Sequence, residues 1–256
     1  MNKRNTQQRR RSILDILADK GEVSVDELSV KFSASEVTIR KDLAALESNG
    51  LLLRRYGGAV PIPKELIAEP VEQQVSKRKK KLAEAAAELI KDHSRIIVDS
   101  GTTTSAMLPL LQSKQGLVVM TNSLNVANAL RELENEPTIL MTGGTWDAQS
   151  EAFQGSLAEQ VLRAYDYDQL FIGADGLDIE RGTTTYNELF SLSRTMAEVA
   201  REVVVMMESN KLQRKIPNLE LPWSAIHILV SDQGLSDEYK ARIESHGVQV
   251  IRVNTE

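Results

Sequence analysis

At 256 residues with a hydrophobic share of 41%, the chain is long enough for one ordinary core-forming domain and a smaller module beside it. It has no cysteine, and its three histidines (His93, His227 and His246) lack ligand spacing, so disulfides, thiolate metal sites and cysteine nucleophiles are excluded and no cofactor is expected. The formal net charge of −5 hides an asymmetry: residues 1–60 hold 11 Lys+Arg against 8 Asp+Glu and the rest 20 against 28, so the two parts carry +3 and −8, and only the first suits a polyanion.

No run of 18 apolar residues and no signal-peptide pattern occurs, which gives the expectation of a soluble, cytoplasmic chain with no membrane partner. In chain order, Ile13, Leu14, Ile16 and Leu17 fall on one helical face, and Gly21 after Lys20 suits a left-handed cap. Ser24 to Glu27 reads as a capping box opening a second short helix with Val25, Leu28 and Phe32 on its buried side, and Ser33-Ala34 makes a turn. Ser35 can cap a third helix, in which Ile39, Leu43 and Leu46 point one way while Val37, Arg40, Lys41 and Ala44 share the opposite face.

Small residues beside two cations permit close approach to a DNA major groove, where Arg40 can pair bidentately with guanine or phosphate; the bland alternative is a solvated helix face. Arg54, Arg55, Tyr56, Gly57 and Gly58 follow a short apolar run and read as the wing of a winged helix-turn-helix, its amides and arginines holding phosphates. The candidate contacts to double-stranded DNA are therefore Ser35, Val37, Thr38, Arg40 and Lys41 on the helix, and Arg54 to Gly58 on the wing. Lys3, Arg4, Arg9, Arg10 and Arg11 either extend this footprint or form a merely solvated basic start. The wording S-x-x-T-I-R-K-D-L from Ser35, followed by L-x-R-x-Y-G-G-A from Leu52, resembles the DeoR family of bacterial regulators over residues 6–60. Where many members have His before the two glycines this chain has Tyr56, which keeps an aromatic.

Val60 to Pro63 stops regular structure, so residues 1–60 read as the DNA-binding domain, 61–76 as a linker and 77–256 as an effector-binding and oligomerisation domain. Lys77 to Lys81 then opens a helix running from Leu82 to Ile90; five cations at a helix N-terminus oppose its dipole and need acidic neighbours, DNA or solvent to compensate. Beyond it lie seven short apolar runs: Arg95–Asp99, Leu117–Thr121, Thr138–Thr142, Gln169–Asp175, Val203–Met207, Ile226–Ser231 and Val248–Val253. Continuous runs separated by helical stretches indicate an α/β, Rossmann-like domain with a parallel sheet covered on both faces, and such sheets bind ligands beyond the carboxyl ends of their strands.

The unusual residues sit at those ends. Asp99, Ser100, Gly101, Thr102, Thr103 and Thr104 follow the first run and open a helix, offering amides, hydroxyls and a positive dipole end to an anion. Thr121-Asn122-Ser123, Gly143-Gly144, Gly173 to Gly176 with Asp175, and Ser209 to Lys211 repeat the placement after four further runs. Each alone is ordinary turn chemistry; five at one edge point to one polar crevice. Hydroxyls, amides, Asp99, Asp175 and Glu188 suit the hydroxyls of a sugar, whereas Lys211 and the threonine loop suit a phosphate. Few aromatics are available to stack a base, and Gly101 to Thr104 matches no nucleotide-binding glycine motif.

The DeoR resemblance continues over residues 76–253 through D-S-G-T-T, T-N-S, G-G, G-x-D-G, N-E and an S-x-K at Ser209 to Lys211. It implies an effector domain similar to ribose-5-phosphate isomerase and glucosamine-6-phosphate deaminase. It also implies a phosphorylated sugar or sugar alcohol as effector, release from the operator on binding it, and wording nearest to repressors of amino-sugar and hexitol catabolism. Two stretches depart from the family: Thr145 to Ala148 stands where cations usually follow the two glycines, with Asp147 adding negative charge, and Glu208 to Leu212 replaces the usual D-S-S-K-F. Trp146 either packs on a sugar face or fills core. The favoured reading is a sugar-phosphate-responsive repressor, assembled as a dimer or tetramer. The alternatives are a sugar-phosphate isomerase with an appended DNA module, using Glu188 or Asp175 as base and Arg181 as partner, and a DNA-organising protein without a ligand.

Overall fold

Capping residues at helix ends shape the N-terminal unit. The structure is a computed structural model that describes residues 9–10, 12–14, 16–17, 20–48, 52–55, 57–60, 76–148, 150–186, 190–212, 214, 216 and 218–255. Lys3, Arg4, Arg11, Tyr56, residues 61–75 of the expected linker and the Asn187-Glu188 pair lie outside the described residues, as does the side chain of Arg55. The chain divides into two compact units, Met1–Glu72 and Gln73–Glu256.

The described residues between 9 and 20 are helical and bury Ile13 and Leu17. Gly21, at φ 77°, returns its amide to the Leu17 carbonyl at 3.0 Å, the left-handed ending that glycine makes cheap. Ser24 caps the Val25–Phe32 helix by accepting from the Glu27 amide at 3.1 Å, while the Glu27 carboxylate takes the Ser24 amide in return. Ser35 accepts from the Thr38 amide at 3.3 Å and opens the Glu36–Ser48 helix. Ile39, Leu43 and Leu46 from that helix meet Ile13, Leu17, Leu28 and Leu52 in one small core.

Three short strands complete this unit: β1 (Val23–Ser24), β2 (Leu53–Arg55) and β3 (Gly58–Val60), in the order β1-β3-β2. Gly57, at φ 81°, turns the hairpin. Gly58 has a different reason to be glycine, because a Cβ there would lie 2.1 Å from the Val23 carbonyl oxygen. The close approach of β3 to β1 thus requires a residue without a side chain.

Asp42 decides the fate of two N-terminal arginines. It is 2% exposed, and its two carboxylate oxygens accept from Arg9 Nε at 2.6 Å and Arg10 Nε at 2.8 Å. Both guanidinium groups thereby tie the first helix to the third. A buried carboxylate needs such partners.

The second unit is built on a seven-stranded sheet in the order β15-β14-β12-β9-β4-β5-β6. Its members are β4 (Arg95–Val98), β5 (Val118–Thr121), β6 (Thr138–Met141), β9 (Tyr167–Ile172), β12 (Ala200–Met206), β14 (Ile228–Asp232) and β15 (Gln249–Val253). Every pairing is parallel. These are the seven expected runs, and they are continuous because both faces are covered. Ile96, Val98, Phe171, Val204 and Met206 pack on one side against Leu82, Ala86, Leu111 and Val126. Ile97, Leu170, Ile172, Val203 and Val205 pack on the other against Leu162, Leu192, Met196 and Ile243.

Strand order reverses between β4 and β9: from β4 the chain moves outward through β5 to β6, then returns to β9 and continues to β15. Two smaller pieces are absent from the expected runs. They are the hairpin of β7 (Thr145–Asp147) with β8 (Ala152–Gln154), and an antiparallel sheet of β10 (Gly176–Asp178), β11 (Gly182–Thr185) and β13 (Asn218–Pro222).

Replacing Asp42 with Ala leaves two arginines facing a vacated carboxylate site. The Asp42→Ala variant should lose about 3 kcal/mol of stability in the N-terminal unit, read as an earlier denaturant midpoint for that unit while the second unit's transition stays in place.

Candidate functional site

On the Glu36–Ser48 helix, Val37 is 63% exposed and Arg40 and Lys41 are exposed beside it, with Thr38 half-buried. Arg40 Nη2 donates to Glu36 at 3.1 Å, an i,i+4 pair between two exposed side chains. Such a pair is worth only ~0.4 kcal/mol and yields readily to a stronger anion. Arg54 is bound more firmly: its amide and Nε donate to the two oxygens of Glu47 at 2.9 and 2.6 Å. These bonds hold the Glu47 carboxyl below the usual carboxylate range, the Arg54 backbone donor acting first and its side chain second. Arg54 is thereby a strut from the wing to the end of the exposed helix.

At the point where strand order reverses, the loops after β4 and β9 face each other, the standard location of a ligand site in an open α/β sheet. The Asp99 amide donates to the Phe171 carbonyl at 3.0 Å, and Asn122 at the end of β5 donates from Nδ2 to Asp99 Oδ1 at 3.0 Å. Asn122 Oδ1 in turn accepts from the Ser100 amide at 3.2 Å, so one amide side chain fixes the loop at both ends. Asp175, after β9, accepts from Thr185 Oγ1 at 2.8 Å and from the Tyr186 amide at 3.2 Å. Burial, opposed by the bonds from Asn122 and Ser100 and reinforced by the charge of Asp175, pushes the Asp99 carboxyl up to about 6.

Lys211, after β12, feels the charge of Asp175, and Lys79 on the Lys77–Glu88 helix reaches the Asp99 loop at Thr102. Lys211 Nζ donates to the Ala174 carbonyl at 2.8 Å, and burial lowers its affinity for a proton while Asp175 opposes that effect. The charges of Lys79 and Arg214 also reach Lys211 and act in the same direction as burial. Lys79 belongs to the basic run of the Lys77–Glu88 helix, yet its Nζ donates to Thr102 Oγ1 at 3.0 Å. Compensation for five cations at a helix start comes partly from this contact, from the Lys81–Glu84 pair at 2.7 Å and from Ser76, which accepts the Lys79 amide at 3.1 Å. The loop bearing Lys211 is held by Asp232 at the end of β14, which accepts the Ser209 amide at 2.8 Å and its hydroxyl at 2.6 Å.

Asp99, Ser100, Asn122, Asp175 and Lys211 are thus linked at one place, with Thr102 beside Lys79. Thr103 and Thr104 are buried; Thr104 Oγ1 donates to the carbonyls of Asp99 and Gly101 at 2.9 and 3.0 Å and shapes the turn. The helix they open is only Thr102–Ser105. Gly101 adopts φ 144° at its start. Thr121 is buried with Oγ1 accepting the Ser123 amide at 3.1 Å, and Ser123 caps the Leu124–Arg131 helix.

Gly143 and Gly144 follow β6, two strands from β4. A Cβ on Gly144 would meet the Gln154 carbonyl at 2.5 Å, and one on Gly176 would meet Thr184 Oγ1 at 2.7 Å, so both glycines serve close packing. The Asp147 carboxylate accepts from the Ser150 amide at 3.1 Å and hydroxyl at 2.6 Å in the hairpin turn. Trp146 is 43% exposed and meets Phe153 edge-on at 5.5 Å, so it does not fill the core. Arg181 pairs with Asp178 at 2.7 Å in the turn between β10 and β11. Lys79, Arg214, Asp232 and Asp42 carry contacts that spacing alone could not single out, since each lies in a stretch where charged residues are ordinary.

A helix with an exposed pair of cations beside a wing, followed by a parallel sheet with a polar strand-order reversal, defines a DNA-binding regulator with a sensor domain. Residues 9–65 match the model of the DeoR-like helix-turn-helix domain and residues 74–233 that of the DeoR C terminal sensor domain. The chain belongs to the DeoR family of transcriptional regulators, and it is a regulator rather than an enzyme. It is 39% identical, over 97% of its length and 94% of the relative's, to a protein of Escherichia coli O157:H7 named "Putative aga operon transcriptional repressor". It is 33% identical to the HTH-type transcriptional regulator GlpR of Haloferax volcanii, over 95% of this chain and 96% of that one. Among solved structures, ribose 5-phosphate isomerase A of Methanocaldococcus jannaschii superposes with a TM-score of 0.38 at 19% identity, over 52% of this chain and 53% of that one. No helix among the described residues is long and apolar enough to cross a membrane.

The Asp99 carboxyl binds its proton more tightly folded than unfolded, so its contribution to stability is present at low pH and is lost as pH rises from about 4 towards 6. Asp99→Asn should flatten the fall in stability of the sensor domain between pH 4 and 6, by on the order of 1 kcal/mol, in denaturation curves recorded across that window.

Proposed function

We propose that the protein represses a carbohydrate catabolic operon and leaves its operator when a phosphorylated sugar or sugar alcohol binds at the strand-order reversal. The observation that carries this reading is the meeting of cations and carboxyls at that place: Lys211 bonds the Ala174 carbonyl and feels the charges of Asp175, Lys79 and Arg214, and Asp99 feels that of Asp175. A ligand that carries both a dianionic phosphate and hydroxyls satisfies both kinds of group. Asn122 and Ser100 add the donors that orient a hydroxyl. Repression, rather than activation, is supported by the name of the Escherichia coli relative.

The Glu36–Ser48 helix enters the major groove, with Arg40 and Lys41 reading bases or phosphates and Ser35, Val37 and Thr38 permitting close approach. The wing, from Arg54 to Gly58, holds the backbone and fixes register. A homo-oligomer, dimer or tetramer, presents paired helices to repeated half-sites. The effector acts by binding the oligomer's non-operator state more tightly, and a population shift needs only that difference in affinity.

Two substitutions separate the activities. Arg40→Ala should weaken operator binding by about 2 kcal/mol, leaving calorimetric binding of a hexitol or hexosamine 6-phosphate unchanged; Lys211→Ala should retain operator binding and no longer release on adding that ligand. Equal damage to both activities in either variant contradicts the division of labour. The affinity for operator DNA should also fall steeply between 50 and 200 mM salt, on the order of a thousandfold for about six phosphate contacts.

A further inference from the structure

Strand β13 brings a third carboxyl to the same neighbourhood. Glu220 is 8% exposed, with Ser193 Oγ donating to its Oε1 at 2.9 Å and Thr183 Oγ1 lying 3.4 Å from its Oε2. Arg194, the cation next along the chain from Ser193, is engaged with the main chain instead. Its Nε donates to the Glu220 carbonyl at 3.0 Å and its Nη2 to the Leu219 carbonyl at 2.8 Å. The charges that reach the Glu220 carboxyl are those of Asp99 and Asp175. Thr185 and Thr183, two positions apart on β11, hold Asp175 and Glu220 respectively, so the small antiparallel sheet carries both carboxyls beside the Asp99 loop.

We propose that Glu220 is a specificity-determining residue of the effector site: with Asp99 and Asp175 its carboxyl contacts the hydroxyl-bearing end of the ligand and turns away ligands carrying a carboxylate there. The inference rests on the effector reading given above and adds the residue that selects the uncharged end. Three largely buried carboxyls brought this close cannot all ionise cheaply, even with the charge of Lys211 reaching Asp175. Burial pushes Glu220 up to about 8, ahead of the opposing hydrogen bonds from Ser193 and Thr183 and the reinforcing charges of Asp99 and Asp175. A protonated carboxyl both donates and accepts, which matches a hydroxyl that must do the same. Above that range an extra negative charge enters the site and opposes an anionic ligand.

Calorimetric titration of the full-length protein with hexitol 6-phosphates, hexosamine 6-phosphates, 6-phosphogluconate and inorganic phosphate, from pH 6.5 to 9, tests this on wild type, Glu220→Gln and Glu220→Ala. Glutamine mimics the protonated acid, so Glu220→Gln should match wild type at pH 6.5 and bind the preferred sugar phosphate about tenfold more tightly than wild type at pH 9. Glu220→Ala should lose about tenfold for the sugar phosphate, keep its affinity for inorganic phosphate, and narrow the preference over 6-phosphogluconate. If Glu220→Gln tracks wild type at every pH, or Glu220→Ala weakens all four probes equally, the role of Glu220 is overturned while the effector reading stands. If no sugar phosphate binds wild type at all, the effector reading falls, and this one with it.

Discussion

The reversal of strand order between β4 and β9 is the constraint on which the sensor domain depends. Neighbouring parallel strands whose chains leave in opposite directions splay their loops apart, and polar groups at the two strand ends must be satisfied locally or by a ligand. Here the satisfaction is partial and specific: Asn122 bridges Asp99 and Ser100, Thr185 holds Asp175, and Lys211 bonds the Ala174 carbonyl. These contacts fix backbone while leaving carboxyls and cations close together in surroundings that disfavour charge. A bound dianion with hydroxyls would relieve both sides at once.

The N-terminal unit instead uses charge pairs as internal ties. Asp42 joins the first and third helices through Arg9 and Arg10, and Glu47 joins the third helix to the wing through Arg54. The family motif around Arg40 therefore contains both a surface that can meet DNA and the internal pin that aims it. Arg40 and its neighbour Lys41 point outward, whereas Asp42, one residue later, is almost wholly buried. Helical periodicity places the three on different faces, and burial then assigns each its role.

Much of this was legible in the sequence. The seven core strands announced themselves as continuous apolar runs because the sheet is covered on both faces, and Ser24, Ser35 and Gly21 marked helix ends through capping chemistry that is local. What stayed hidden is what depends on long-range approach. β11 is Gly-Thr-Thr-Thr and β13 only Asn-Leu-Glu-Leu-Pro, too short to stand out as an apolar run, and Glu220 consequently drew no notice. Lys79 looked like one of five equivalent cations until Thr102 was brought beside it. Asp147 was visible as a charge after the two glycines, but the bond from Ser150 that closes the hairpin turn was not.

The central claim is that occupancy of the strand-order reversal controls DNA binding by the other unit. It is tested most directly by measuring the affinity of the full-length protein for DNA upstream of its own gene, at fixed salt, while titrating hexitol and hexosamine 6-phosphates shown by calorimetry to bind. The account predicts that a bound sugar phosphate weakens operator affinity by at least about tenfold, the usual size of an allosteric coupling. Operator affinity that stays constant while the sensor domain is saturated would contradict it.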